Sequence, residues 1–221
     1  MSKSLRTQVI EMTTDKVRPE IDNVYRESLR SILDMFGGLH YIDGNGKKIK
    51  VKCVYGNPER IAGKLKADNT LILPMITIVE TETLNDDLRR RYTPVLLNEK
   101  YWDEKELRAK RVLSLSPRPV NISYTINLWC KYKADLDMLR SAIFTKFNPD
   151  LQLNTKFSSI SKLFLVSESD VGNVQVQDRE DRILQKAIDI SLETYVENPK
   201  FLITNTGEIK EFNFEVAIDD G

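Results

Sequence analysis

The sequence predicts an α+β fold, in which a mostly antiparallel sheet is covered on one face by two main helices. Two stretches repeat apolar residues at helical spacing, and several others alternate apolar with polar residues. Strands of a parallel sheet buried on both faces would instead be continuous apolar runs. We interpret residues 1–221 as one domain that contains a long charge-rich arm or insertion at residues 80–116.

The two predicted helices have clear ends. From Val17 to Phe36, apolar residues recur every three or four positions, with Pro19 in the first turn and Gly37-Gly38 as the stop. The second helix is predicted from Ala134 to Phe147, because the following Asn-Pro disfavours helix.

Strands are predicted where apolar and polar residues alternate. They are residues 48–55, 70–79, 120–128, 162–166, 185–196 and 209–218. In the third of these, one face is apolar and the other carries Asn121, Ser123, Thr125 and Asn127. A solvated strand face usually collects Lys and Glu, so these uncharged side chains predict a surface that the arm or another subunit covers part of the time.

The arm at residues 80–116 is dominated by charge. From Glu80 to Arg111 it has eight acidic and eight basic residues, which is half of that stretch. A connection this long without a core of its own is usually a functional arm or a flexible segment. Its Arg89-Arg90-Arg91-Tyr92 cluster favours a protein contact, since interfaces are enriched in Arg and aromatic residues. Trp102, after Tyr101, either meets a partner or folds back over its own core.

The composition argues against several classes of protein. The 33 Lys and Arg residues balance 33 Asp and Glu residues, whereas a dedicated nucleic-acid binder normally has a basic excess. The apolar runs are too short for a membrane span, and the first residues lack the apolar region of a signal peptide. Two cysteines without CxxC spacing indicate reduced thiols of a cytosolic protein.

The sequence does not predict an enzyme. His40 is the only histidine, so a nucleophilic site would have to combine it with Cys53, Cys130 or a serine, and a solvated turn residue is the simpler interpretation. Two cysteines supply at most two of the four ligands of a structural zinc site. Neither a P-loop nor a Gly-x-Gly-x-x-Gly motif is present. We therefore predict no catalytic residue, no metal and no cofactor.

Three stretches together resemble a known family. The first is Pro117–Trp129, followed by Lys131–Met138 and Lys146–Pro149. The second is the helix that ends at Leu33–Phe36, together with the strand that leads into Asn57–Glu59. The third is Leu71–Ile76. In order and spacing they resemble the tail sheath stabiliser and completion protein, or tail terminator, of contractile-tailed phages. The resemblance covers residues 20–216, but residues 80–116 match poorly.

The resemblance implies a structural virion protein without catalysis. Proteins of this family form a hexameric ring that terminates the tail tube, stabilises the top of the contractile sheath and provides the joint to the head and neck. The implied partners are copies of the chain, tail sheath and tail tube proteins, and neck or connector proteins. Genome DNA could pass through the ring without sequence-specific binding. The implied location is the phage tail and neck, assembled in the host cytoplasm.

A closed ring of identical subunits needs two unlike, complementary patches on each subunit. We predict that subunit or partner contacts involve Arg89, Arg90, Arg91, Tyr92, Tyr101, Trp102, Asn121, Ser123, Thr125, Asn127, Phe212 and Phe214. The last two lie in the predicted strand 209–218, which is a candidate for main-chain pairing with a partner.

Two alternatives remain open at this stage. One is a different ring of the same neck, such as a connector or head-closure protein. The other is a metal-dependent phosphoryl-transfer enzyme that holds Mg²⁺ with Glu80, Glu82, Asp86 and Asp87. The arginines around these carboxylates favour a solvated surface instead.

Overall fold

The computed structural model describes most of the chain. The described residues are 4–14, 20–42, 46–58, 60–61, 73–90, 93, 95–103, 107–147, 150–153, 161–175, 182–204 and 208–211. The helices are α1 (Leu5–Thr14), α2 (Glu20–Gly37) and α3 (Lys133–Lys146). None of the helices in this part of the chain is long and apolar enough to cross a membrane.

The strands account for most of the regular structure. They are β1 (His40–Ile42), β2 (Lys48–Lys50), β3 (Lys52–Tyr55), β4 (Met75–Asn85), β5 (Leu96–Asp103), β6 (Arg108–Leu115), β7 (Arg118–Cys130), β8 (Leu151–Leu153), β9 (Ser161–Gln175), β10 (Arg182–Val196), β11 (Lys200–Ile203) and β12 (Ile209–Glu211). β1 and β2 pair with each other, and the other strands form a six-stranded and a four-stranded sheet.

The six-stranded sheet has the order β3-β4-β7-β10-β9-β8. Its pairs are antiparallel except β3 with β4, which is parallel. The prediction of a mixed fold with largely antiparallel strands is therefore confirmed. β7 lies in the middle, where Ile126 is opposite Ile78 on one side and Ile188 on the other.

The main core lies on the apolar face of this sheet. Alternate residues of β7, including Ile122 and Ile126, are fully buried there because every second side chain of a strand points the same way. Ile32 of α2 and Leu139 and Ile143 of α3 belong to the same cluster. Both α2 and α3 therefore contribute side chains to the core that the long strands build.

Three strands differ in length from the predictions. The predicted strand 48–55 divides at Val51 into β2 and β3, which belong to different sheets. β4 continues to Asn85 past a register shift between Glu80 and Glu82, and β9 continues to Gln175 past two such shifts. A bulge moves the following side chains to the other face, so the alternation that marks a strand is lost at that point.

Much of the described part of residues 80–116 forms strands, and its apolar end is buried, which corrects the expectation of an arm without a core. After the end of β4, the segment forms the antiparallel hairpin β5–β6. The hairpin joins the four-stranded sheet, of order β12-β11-β6-β5. The charged residues lie mainly on its exposed part, while the apolar end of β6 is buried.

A small second core anchors this sheet. Leu113 and Leu115 of β6 pack with Phe201 of β11 and with Val9 of α1, and all of them are buried. Of the predicted strand 209–218, β12 is the part that falls within the described residues.

Candidate partner interface

The structure describes only some of the residues predicted to contact partners. Arg91, Tyr92, Phe212 and Phe214 lie outside the described residues. Tyr101 belongs to β5, and its side chain also lies outside them. Arg90 is exposed in the turn after β4.

Arg89 is held by contacts within the chain. Its Nε donates to Asp86 Oδ2 at 2.6 Å, and its Nη2 donates to Asn121 Oδ1. The guanidinium also lies 5.1 Å from the centroid of the Tyr195 ring and 3.8 Å from Glu193 Oε2. The structure therefore gives Arg89 and Asn121, both predicted interface residues, a role in joining the end of β4 to β7 and β10.

The carboxylate of Asp86 organises the turn that carries Arg89. Its Oδ1 accepts from the backbone N–H groups of Leu88 and Arg89 at 2.9 and 3.0 Å. The hydrogen bonds from the side chain and the backbone of Arg89 lower the pKa of Asp86 to about 2. Asp86 is therefore ionised, but both of its carboxylate oxygens already accept hydrogen bonds. It is poorly placed to act as a metal ligand for that reason.

A polar row crosses the face of the six-stranded sheet that lies opposite the main core. Thr125 Oγ1 on β7 donates to Asp189 Oδ1 on β10 at 2.7 Å. Ser167 Oγ on β9 donates to the other carboxylate oxygen, also at 2.7 Å. Three neighbouring strands are thus joined through one half-buried carboxylate, which accounts for the uncharged partners beside it.

We call the accessible part of this surface the open face. It comprises Glu82, Leu84, Asn121, Ser123, Thr125, Ser191 and Glu193. The side chains on β7 and β10 are half-buried, whereas Glu82 and Leu84 at the β4 side are exposed. Leu84 keeps 50% of its surface exposed. The open face therefore combines carboxylates, small polar groups and one aliphatic side chain, and the Arg89 guanidinium borders it at Asn121 and Glu193.

Asn127, also predicted to contact a partner, lies deeper than the open face. It is 2% exposed, and its Oδ1 accepts from Gln185 Nε2 at 3.1 Å. Next to it, the buried Trp129 donates from Nε1 to Thr77 Oγ1 at 3.0 Å. This end of the sheet is covered by the chain itself, because Trp129 packs in a cluster with Ile61, Met75 and Ile183.

Trp102 lies near the tip of the β5–β6 hairpin and is exposed. It retains 57% of its surface, and Leu107 in the connecting turn retains 75%. Of the two interpretations of Trp102, folding back over its own core is wrong. The register places it on the same face as Lys100, Arg111 and Ala109. We call these four residues the hairpin patch.

The two faces of the hairpin differ in how their charges are paired. In the hairpin patch, Lys100 and Arg111 are directly opposite each other across the strand pair, and both are exposed. On the reverse face, Lys110 forms an ion pair with Asp103. Lys200 of β11 lies 3.7 Å from Glu99 on that same reverse face. The carboxylates of β5 thus pair with lysines on the reverse face, whereas both charged side chains of the hairpin patch are cations.

A further charged cluster, which the sequence did not indicate, joins α3 to the sheet. Arg140 Nη2 donates to Glu168 Oε2 of β9 at 2.7 Å, and Lys186 Nζ of β10 lies 2.6 Å from Glu168 Oε1. Burial raises the pKa of Glu168, but these two hydrogen-bonded cations outweigh it, so the net effect is a lowered pKa. The cluster joins α3 to β9 and β10, and both oxygens of the Glu168 carboxylate lie within 2.7 Å of a cation.

The candidate nucleophiles are not activated. Burial raises the pKa of Cys53 and of Cys130 to about 12, so both thiols stay protonated at neutral pH. His40 lies in β1 opposite Lys50. Among the described residues, no group of three or more His, Cys, Asp and Glu side chains is arranged to hold a metal ion.

No protein-family model matches the chain, and a search of curated proteins found no match.

Proposed function

We propose that this chain is a structural virion protein that forms a closed ring, hexameric as the resemblance implies, at the head-proximal end of a contractile phage tail. In this role it ends the tail tube, stabilises the top of the sheath and joins the tail to the neck. The sequence resemblance motivates the proposal. The observation that carries it is the hairpin patch, where an exposed Trp lies beside two exposed cations that face each other on an anchored hairpin.

The structural positions of the resembling stretches support the proposal. These stretches map to the end of α2, to β3 with the start of β4, and to β7 followed by α3. All of these elements contribute side chains to the main core. The resemblance therefore follows one packed scaffold, while the poorly matching range 80–116 contains the end of β4 and the two hairpin strands β5 and β6 of the other sheet.

The arrangement of the helices fits a subunit with a free sheet face. We infer that α2 and α3 together cover the apolar face of the six-stranded sheet, since both contribute to its core. The opposite face would then be left to partners along the open face. A ring subunit needs surfaces of this kind, whereas a reactive pocket would need activated side chains.

The proposal is tested by the assembly state of the protein and its place in particles. We expect the purified chain to form a closed ring, seen as a single mass by multi-angle light scattering and as annuli in class-averaged electron micrographs. Labelled antibody should mark the upper end of the sheath. Copurification with sheath or tube protein supports the proposal, whereas copurification with portal-side proteins alone would identify a connector or head-closure ring. A chain that is always monomeric and absent from particles excludes both.

A further inference from the structure

Among the described residues, no carboxylate forms an ion pair with the two cations of the hairpin patch. Lys100 and Arg111 occupy directly opposite positions on an antiparallel pair, a placement that is unfavourable for like charges. The carboxylates nearest to them along β5 pair with Lys110 and Lys200 on the reverse face. An arrangement that costs free energy in the isolated chain becomes favourable when a surface with negative charge covers it.

The same patch has the apolar centre that a docking surface requires. Trp102 lies beside Ala109 on the same face and is mostly exposed. Truncation of a Trp that is buried on binding is among the most costly interface substitutions, whereas an exposed Trp contributes little to a fold. The hairpin patch therefore joins an aromatic anchor to two flanking cations.

The open face has the complementary character. Glu82 is exposed at its β4 side, next to the half-exposed Leu84 on the same face. Glu193 lies across β7 from them, and its carboxylate is 3.8 Å from the Arg89 guanidinium, which is long for an ion pair. Small polar side chains lie between these carboxylates, and the Arg89 guanidinium contacts Asn121 and Glu193 at one end of them. Negative charge, an aliphatic contact for an indole ring and uncharged hydrogen-bonding groups are thus combined on one surface.

We propose that the hairpin patch of one copy docks on the open face of the next copy. This inference rests on the proposed ring function and names the two surfaces that close it. Docking of one hairpin patch on another would bring like charges together, and so would docking of two open faces. The contact is therefore heterologous, and repeating such a contact generates a ring when the rotation closes.

Charge reversal on each surface tests this contact. The hairpin variant is Lys100→Glu with Arg111→Glu, and the open-face variant is Glu82→Lys with Glu193→Lys. A matched control, Lys48→Glu with Lys50→Glu, makes the same charge change on the exposed side chains of β2 in another sheet. Association of the full chain is measured by sedimentation velocity at about 0.1 M and about 1 M salt. Thermal unfolding of each variant verifies that it is folded.

We expect each single-surface variant to associate about tenfold or more weakly at low salt, and the difference to shrink at high salt because screening shortens the interaction. The control should associate like the wild type. A chain that carries both sets of reversals restores complementarity between neighbours, so its association should return to within about threefold of the wild type. A Trp102→Ala variant should weaken association at both salt concentrations, since its contact is apolar.

Several results would overturn the inference. If both single-surface variants associate like the wild type, these two surfaces do not form the contact between copies. If micrographs still show rings in that case, the proposed function stands. Loss of sheath binding with normal self-association would show that another virion protein occupies the hairpin patch. Failure of the combined variant to recover would show that the two surfaces do not meet. A wild-type chain that stays monomeric at every concentration rejects the contact, and its absence from particles would also reject the proposed function.

Discussion

The six-stranded sheet and the β5–β6 hairpin place their polar side chains in opposite ways. On β7 and β10, the Thr125 hydroxyl and the Asp189 carboxylate satisfy each other, and Arg89 is enclosed by acceptors. On the hairpin patch, Lys100 and Arg111 meet each other instead. Polar groups of the large sheet thus stabilise the chain itself, whereas those of the hairpin patch remain available to a second molecule.

The comparison shows why overall charge says little about function here. The chain has zero formal net charge, and the segment from Glu80 to Arg111 is balanced as well. In the folded chain, some of these charged side chains form ion pairs with each other, while others lie exposed at the surface. Arg89, in a cluster of three arginines, is a structural residue, whereas Lys100 and Arg111, further along the chain, lie exposed opposite each other.

The largest effect should come from truncating the centre of the six-stranded sheet. Ile126→Ala removes a fully buried side chain between Ile78 and Ile188, so we expect the free energy of unfolding to fall by about 2–5 kcal/mol. Trp102→Ala removes a larger side chain that is mostly exposed, and it should change the free energy by no more than about 0.5 kcal/mol. Urea denaturation measures both. Equal losses would show that the hairpin is part of the main folding unit and would remove the contrast.

A smaller effect should follow from removing one hydroxyl of the polar row. Thr125→Val keeps the shape of the side chain but deprives Asp189 of a donor, so we expect a loss of about 1 kcal/mol in the free energy of unfolding. The control is Thr83→Val, which removes an exposed hydroxyl bonded to Glu80 within one strand. Its loss should be below about 0.5 kcal/mol. If both substitutions lower the free energy of unfolding by the same amount, the polar row stabilises the chain no more than a surface hydrogen bond does.

Much of the fold could be predicted because long regular elements carry their own pattern. α2, β7, α3 and β10 are present close to where the apolar spacing placed them. The lengths of β4 and β9 could not be predicted, since their bulges interrupt the alternation that marks a strand. The hairpin was missed because charge on its exposed part resembles that of a loop, and because its buried end packs against the distant Val9 and Phe201.

The sequence indicates which types of residue form the candidate interface better than it indicates how those residues are arranged. The sequence leaves two interpretations open for Trp102, and the structure exposes it, whereas nothing in the sequence distinguishes Lys100 and Arg111 from the other charged residues around them. Their pairing depends on the hairpin register, and the polar cluster after Asp103 was the only local signal of a turn there. Asn127 resembled Asn121 and Thr125 in sequence, yet it is buried because residues distant along the chain cover that end of β7. Periodicity identifies a face, but not what lies on top of it.

The smallest effect should be a change in acid stability at the edge of the six-stranded sheet. Asp86 has a pKa of about 2 in the folded chain, below the ordinary value of 3.8, because Arg89 donates hydrogen bonds to its ionised form. The stabilisation that the ionised Asp86 carboxylate gives to the folded chain is therefore fully present above about pH 4 and is lost as the pH falls toward about 2. Asp86→Asn should lower the urea midpoint relative to the wild type at about pH 6, and the two midpoints should converge near pH 2.

The matched control for this substitution is the exposed neighbour Asp87. Asp87→Asn changes the net charge by the same amount outside the Arg89 network, so the midpoint should follow that of the wild type at every pH. If the Asp86 difference stays constant down to low pH, the carboxylate acts through the geometry of the turn and not through its charge. If Asp87→Asn reproduces the Asp86 profile, general charge repulsion would explain both. Arg89 would then be as available to a partner as the cations of the hairpin patch, and the contrast between the two regions would fail.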